Sequence, residues 1–215
     1  MTPLERAEGY RVLAIALRHP GAPGELAEAL AETAGAGGAI GALASALAAR
    51  ADGDLDGAYN ATFAQNAPCS PYETSYVMGD KGARIGQIAS LYAAFGVRVG
   101  GAEREAPDHV GVELEFAALL ALKEALVLEE GNEERVALVR RARQVFLEEH
   151  LGAWAPRFAA RLAELAPHPF YAEAAAALDG FVAADLADQG WHAARVALGL
   201  PLFADPNEMV CEGVG

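Results

Sequence analysis

The chain has 215 residues, enough for one large domain or two small ones. Its 53% hydrophobic content, much of it alanine, excludes a disordered chain and favours helices. Thirty acidic residues against sixteen basic ones give a formal net charge of -14, which argues against nucleic acid as a partner and attracts basic peptides, although solubility alone accounts for an acidic surface equally well.

Leu4 to Arg18 carries apolar residues at Leu4, Ala7, Tyr10, Leu13 and Leu17, the spacing of one helix face, with Pro20 as a stop. Pro23 suits a first helical turn, and Leu26 with Leu30 marks a second helix ended by Gly35, Gly37 and Gly38. Ile40, Leu43 and Leu47 repeat the pattern, and Asp54 caps a fourth segment through Leu55, Tyr59 and Phe63 until "NAPCSP" interrupts it. Ile85, Ile88, Tyr92 and Phe95 form the next stripe, closed by Gly96. A long helix with Val112, Phe116, Leu119 and Leu120 on its apolar face runs to Glu130, and Asn132 opens another that reaches His150. Trp154, Phe158, Leu162 and Leu165 are the cleanest stripe; after "APHPF" a last helix runs from Tyr171 to Asp188. The best strand candidate, 97–99, is too short to matter. The expected fold is all-α, a single globular bundle of roughly eight to ten helices over residues 1–200, with a flexible tail over 201–215.

Cys69 and Cys211 stand far apart and form no metal-ligand array, which fits a reducing cytoplasm. No signal peptide is read in "MTPLERAEGY", and the longest uncharged stretch, Thr33 to Ala49, falls short of the ~20 strongly apolar residues of a membrane span. The chain is expected to be cytoplasmic, without stable membrane insertion, as a monomer or homodimer.

Chemistry concentrates in "EREAPDHVGVELEF". His109 and Glu113, four apart on a helix, face the same way and could ligate a metal with Asp108 or Glu105, but no second such pair supplies the other ligands. Asp108, His109, Glu113 and Glu115 are acid–base candidates without a nucleophile beside them; Cys69 reads as a small apolar-like residue in a proline-held loop. Gly79, Gly82 and Gly86 lack the spacing of a phosphate loop. The simplest reading is a helix start, with Pro107 lacking an N–H the first turn leaves unused and Asp108 as N-cap or first-turn anion. That reading leaves His109, Glu113 and Glu115 crowded into two turns unexplained.

"YNATFAQNAPCSPYETSY" (59–76) followed by "EAPDHVGVELEFAALLALKEA" (105–125) resembles the TorD/DmsD/NarJ family of redox-enzyme maturation chaperones, as does "FLEEHLGAWAPRFAARL" (146–162) with its Phe-x-x-x-His-Leu-x-x-Trp pattern. Pro68, Pro71, Tyr72, Glu73 and Tyr76 take the places of the first motif; Glu105, Pro107, Asp108 and His109 take those of the second. The resemblance implies one all-α domain and no reaction of its own. It also implies a client, the apo catalytic subunit of a molybdopterin oxidoreductase of the DMSO reductase or nitrate reductase kind, bound through a twin-arginine or related leader until its molybdopterin guanine dinucleotide cofactor is inserted. The chaperone itself would carry no cofactor and no metal. A twin-arginine peptide calls for carboxylates beside an apolar groove. Glu105, Asp108, Glu113 and Glu115 would supply the first, with Glu73 and Pro107 nearby, and Tyr72, Tyr76, Phe116 and Leu119 the second. His109, titrating near neutrality, would order Asp108 or sense its occupancy. Arg104 would oppose an arginine ligand, and nitrate-reductase-type members serve clients without a classical export signal. The rival reading is a metal- or nucleotide-dependent helical enzyme centred on Asp108, His109 and Glu113. The 68–76 loop is expected to pack against the helix start at Asp108, with Tyr76 in the core.

Overall fold

Thr2 opens the first helix, α1 (Pro3–Leu17), with a capping box: its hydroxyl accepts from the Glu5 N–H, and Glu5 reaches back to the Thr2 N–H. The computed structural model describes residues 1–22, 24–35, 37–64, 68–98, 105–165 and 168–194. Two short helices follow, α2 (Glu25–Ala34) and α3 (Gly38–Ala48), packed on each other, and then α4 (Leu55–Phe63), capped by Asp54 as the sequence predicts. After the proline-rich loop and a single 3-10 turn at Glu73–Ser75 comes α5 (Lys81–Ala94), whose N-cap is Asp80. α6 (Val110–Glu129) and α7 (Glu133–Phe146), the latter capped by Asn132, form an antiparallel pair around Gly131. The last helices among the described residues are α8 (Gly152–Leu165) and α9 (Pro169–Gln189), the latter capped by His168.

Two departures from the sequence reading have clear causes. The helix expected to end at His150 does not end: α7 passes through a π turn, Leu147–Leu151, directly into α8. Nothing between them breaks a helix, and Gly152 keeps right-handed helical dihedrals; a Cβ there would collide with the Leu147 carbonyl oxygen. Asp108 does not cap α6. His109 does, with Nδ1 accepting from the Gly111 N–H at 3.1 Å, because the Asp108 carboxylate is held by the preceding loop.

α1 lies along α6 and also meets α2, α3 and α9, and residues 12–17 are buried in succession, as a helix surrounded on all sides requires. Gly9 lets α9 approach, since a Cβ there would fall on the Phe181 ring. One contiguous apolar core runs from Tyr10 and Leu13 through Tyr92 and Phe116 to Trp154, Phe158 and Tyr171. Among the described residues there is no strand; an isolated antiparallel bridge pairs Tyr72 with His109. Val97 and Arg98 form no strand, and Val99, Arg104, Cys211 and the expected tail over 201–215 lie outside the described residues. No helix among the described residues is long and apolar enough to cross a membrane.

Candidate functional site

The bridge at Tyr72 and His109 fastens the proline-rich loop to the start of α6. Glu73 N–H donates to the Asp108 carbonyl at 2.9 Å, and Val110 N–H donates to the Pro71 carbonyl at 2.8 Å. The Asp108 carboxylate completes the join by accepting from the Thr74 hydroxyl at 2.7 Å and from the Thr74 N–H at 3.3 Å. α5 adds a third attachment, with the Tyr92 hydroxyl donating to the Pro107 carbonyl at 2.8 Å. The loop therefore packs on the helix start as the sequence suggests, and Tyr76 lies in the core against Trp154 and Phe158, its hydroxyl bonded to the Ser70 carbonyl. Cys69 is buried beside Tyr76, and burial pushes its thiol up to about 11, which keeps it protonated and inert.

Behind this join lies a buried acidic cluster fed by all three sequence motifs. Glu73, fully buried, accepts from Arg84 of α5 and meets His150 Nδ1 of the π turn at 3.3 Å. Arg84 also donates to the Glu149 carbonyl, tying α5 to the same turn. Glu113, equally buried, accepts from the Trp154 indole N–H at 3.0 Å. Burial, reinforced by the charge of Glu73, raises the Glu113 carboxyl well above the usual carboxylate range. Its neutral form is favoured. Phe146 packs on Phe116 and stacks with His150, so the Phe, His and Trp of the 146–154 segment each touch a residue of the other two motifs or of α6.

His109 is almost wholly buried, edge-on to Tyr72 with ring centroids 5.4 Å apart. Because Nδ1 accepts from Gly111, the neutral ring carries its proton on Nε2, and that N–H has no partner among the described residues. Burial lowers its pKa from 6.5 despite Glu105 and Asp108 nearby, so the ring stays neutral and caps a helix. It is not the near-neutral titrating partner of Asp108 that the sequence suggested. His109 and Glu113 do not converge on a common ligand position either, each being committed to a different neighbour, and among the described residues no group of three His, Cys, Asp or Glu side chains is placed to hold a metal.

The surface above is a cleft of about 650 Å³ lined by Arg18 just past α1, Tyr92 of α5, Val97 and Arg98 beyond α5, and Glu105, His109, Gly111, Val112, Glu115, Phe116 and Leu119. Of the candidate residues, Glu105 and Glu115 are exposed at this cleft and His109 and Phe116 form its inner wall. Tyr72 is half-buried and donates from its hydroxyl to Glu105 at 3.1 Å. Pro107 is half-buried in the turn before α6, and Glu73, Tyr76, Asp108 and Glu113 are enclosed. Arg18, Arg98 and Val97 were not read as site residues from the sequence, because they come from elements that meet α6 only in the fold.

Residues 29–160 match the family model described as nitrate reductase delta subunit. The selenate reductase assembly chaperone protein of Thauera selenatis is 38% identical over 76 residues, 35% of this chain and 38% of that protein. The chlorate reductase assembly chaperone protein of Ideonella dechloratans is 40% identical over 76 residues, again 35% and 38%. Chaperone protein TorD of Vibrio cholerae is 33% identical over 119 residues, 54% of this chain and 52% of that protein. The chain thus spans about half or less of the length of these relatives. It belongs to the nitrate reductase delta subunit family.

Proposed function

We propose that this member of the nitrate reductase delta subunit family is a cytoplasmic assembly chaperone, without a reaction of its own, for the catalytic subunit of a molybdopterin reductase. Its relatives are named as assembly chaperones of selenate and chlorate reductase. The client segment is an N-terminal leader with a basic pair, twin-arginine or related, held until the client's cofactor is in place. The observation that carries this reading is the cleft at α6, where exposed carboxylates, an apolar wall and one buried, unpartnered N–H donor stand together.

Each part has a task suited to a peptide. Glu105 and Glu115 accept guanidinium or ammonium groups at the rim, where a charge-assisted bond gains strength as water leaves. Val97, Val112, Phe116 and Leu119 take the apolar residues beside the basic pair. His109 Nε2–H donates to a main-chain carbonyl, which relieves a donor that burial leaves unsatisfied at a cost of about 1–3 kcal/mol. Arg18 and Arg98 on the same rim oppose a basic ligand placed beside them and so fix its orientation. The enclosed members of the motif, Glu73, Asp108 and Glu113, act one layer below by holding the loop and α6 in place.

His109→Asn tests the reading, since the asparagine oxygen can replace Nδ1 as the helix cap while the Nε2 donor is lost. Calorimetric titration with a synthetic peptide bearing an Arg-Arg pair and an apolar continuation should show binding weakened about tenfold in this variant, and binding that is weakened and less dependent on salt in Glu115→Lys. If the parent protein binds neither this peptide nor the apo catalytic subunit, or if both variants bind like the parent, the cleft is not the client site.

A further inference from the structure

Leu119, at the inner end of the cleft, is followed on α6 by Leu122 and Leu126, which are 42% and 50% exposed. Spacings of three and four residues put the three leucines on one face of the helix, in line with Val112 and Glu115. At about 1.5 Å per residue, the row carries the apolar wall roughly 10 Å beyond Leu119. The opposite faces of α6 are engaged with α1 and α7, so this row is the side the bundle leaves uncovered among the described residues. Acids stand at both ends: Glu115 at the cleft, and exposed Glu129 and Glu130 at the far end, the latter paired with Arg135. Lys123, half-buried at the edge of the row, is the cation beside it.

A second copy of the chain is a poor fit. Antiparallel pairing of two α6 helices about Leu122 sets Glu115 against Glu129, parallel pairing sets each acid against itself, and each chain brings a net charge of -14. The complementary occupant is apolar in the middle and basic at its ends. We infer that the outer face of α6 from Leu119 to Leu126 continues the cleft as a docking strip for the apolar segment that follows the basic pair of the client peptide, with a further basic residue reaching Glu129. The inference rests on the client-binding reading above and adds a direction: the basic pair lies at Glu105 and Glu115, and the apolar segment runs toward the C-terminal end of α6.

Two synthetic peptides separate this strip from the cleft. One carries an Arg-Arg pair in a short polar context; the other continues from the same pair through a leucine-rich segment of about ten residues to a closing lysine, long enough for the row as a helix. The parent protein should bind the long peptide at least about tenfold more tightly than the short one. Leu122→Gln combined with Leu126→Gln, a change that keeps helix propensity at exposed positions, should abolish that advantage while leaving the short peptide's affinity unchanged. If the long peptide keeps its advantage on the double variant, the strip is not a docking surface, although the cleft stands. If neither peptide binds the parent, both the cleft reading and this inference fall. If the parent sediments as a dimer that the double variant dissociates, a second copy covers the row and the inference is overturned. Unchanged far-ultraviolet circular dichroism of the variant confirms that the strip, not the fold, was altered.

Discussion

Two buried charge clusters sit in this bundle, and they are built on opposite plans. The first joins four helices: Arg143 of α7 reaches Glu124 of α6 at 2.6 Å and Asp185 of α9 at 3.0 Å, while Arg6 of α1 reaches Asp185 at 2.6 Å. The Tyr10 hydroxyl donates to the same aspartate, Arg140 adds a second cation to Glu124, and Trp191 covers Arg143 with its ring 4.7 Å away. Every carboxylate there has a cation and every helix of the group is tied to another. The second cluster, behind the cleft, holds more acids than cations, a neutral histidine with an unpartnered N–H, and a glutamic acid with one oxygen unpartnered. Balanced charge of the first kind locks helices together. Charge left unbalanced next to an open cleft keeps capacity for something outside the chain.

The sharpest break in the contrast comes from Arg143→Met. It leaves buried Glu124 with only the exposed Arg140 and buried Asp185 with only Arg6 and Tyr10, so urea unfolding should show a loss of about 3–5 kcal/mol. A loss below about 1 kcal/mol would mean that the first cluster is no more essential than a surface pair. Next, Tyr76→Ala should cost about 3 kcal/mol, whereas Tyr72→Ala, half-buried at the rim, should cost about 1 kcal/mol or less. Equal melting shifts for the two would place Tyr72 in the core as well.

The pH dependence sharpens the picture of the second cluster. Glu113 holds its proton more tightly folded than unfolded, so above its ordinary value of 4.5 the unfolded chain releases a proton that the folded one keeps, and stability falls as pH rises through that window. His109 acts in the reverse sense: below 6.5 the unfolded chain takes up a proton that the buried ring resists, and stability falls as pH drops. Unfolding curves across the pH range should show Glu113→Gln removing part of the loss on the high side and His109→Asn part of the loss on the low side. The smallest effect on stability belongs to Glu115→Lys, within about 0.5 kcal/mol in the same assay, although the association rate of a basic peptide should drop and lose its salt dependence.

Much of this was readable in advance. Trp154, Phe158 and Leu162 repeat with helical period and are buried as that period requires, and Asp54 and Asn132 cap where their chemistry predicts. The cap of α6 was misread because Asp108 is the stronger local signal, and only a partner 34 residues earlier, Thr74, takes its carboxylate away. Rules that look for Ser, Thr, Asp or Asn also pass over His109 and His168, whose ring nitrogens do the same work. The four-helix charge cluster joins residues up to 179 apart in sequence. Its one local trace was Arg143 falling on the buried face of α7 with Val139 and Phe146, a charged residue at an apolar position.

The π turn between α7 and α8 stands between the two clusters like a gear with an added tooth. In it the Gly152 N–H bonds to the Leu147 carbonyl, five residues back, where an α-helix would reach four. Deleting one residue there would restore a plain α-helix and swing one end of the rod by about 100° relative to the other. Arg143 could then meet Glu124 and Asp185, or Trp154 could meet Glu113, but a single regular helix could not present both. The extra residue lets one rod obey two registers, and a family member that loses it must rebuild one of its two interiors.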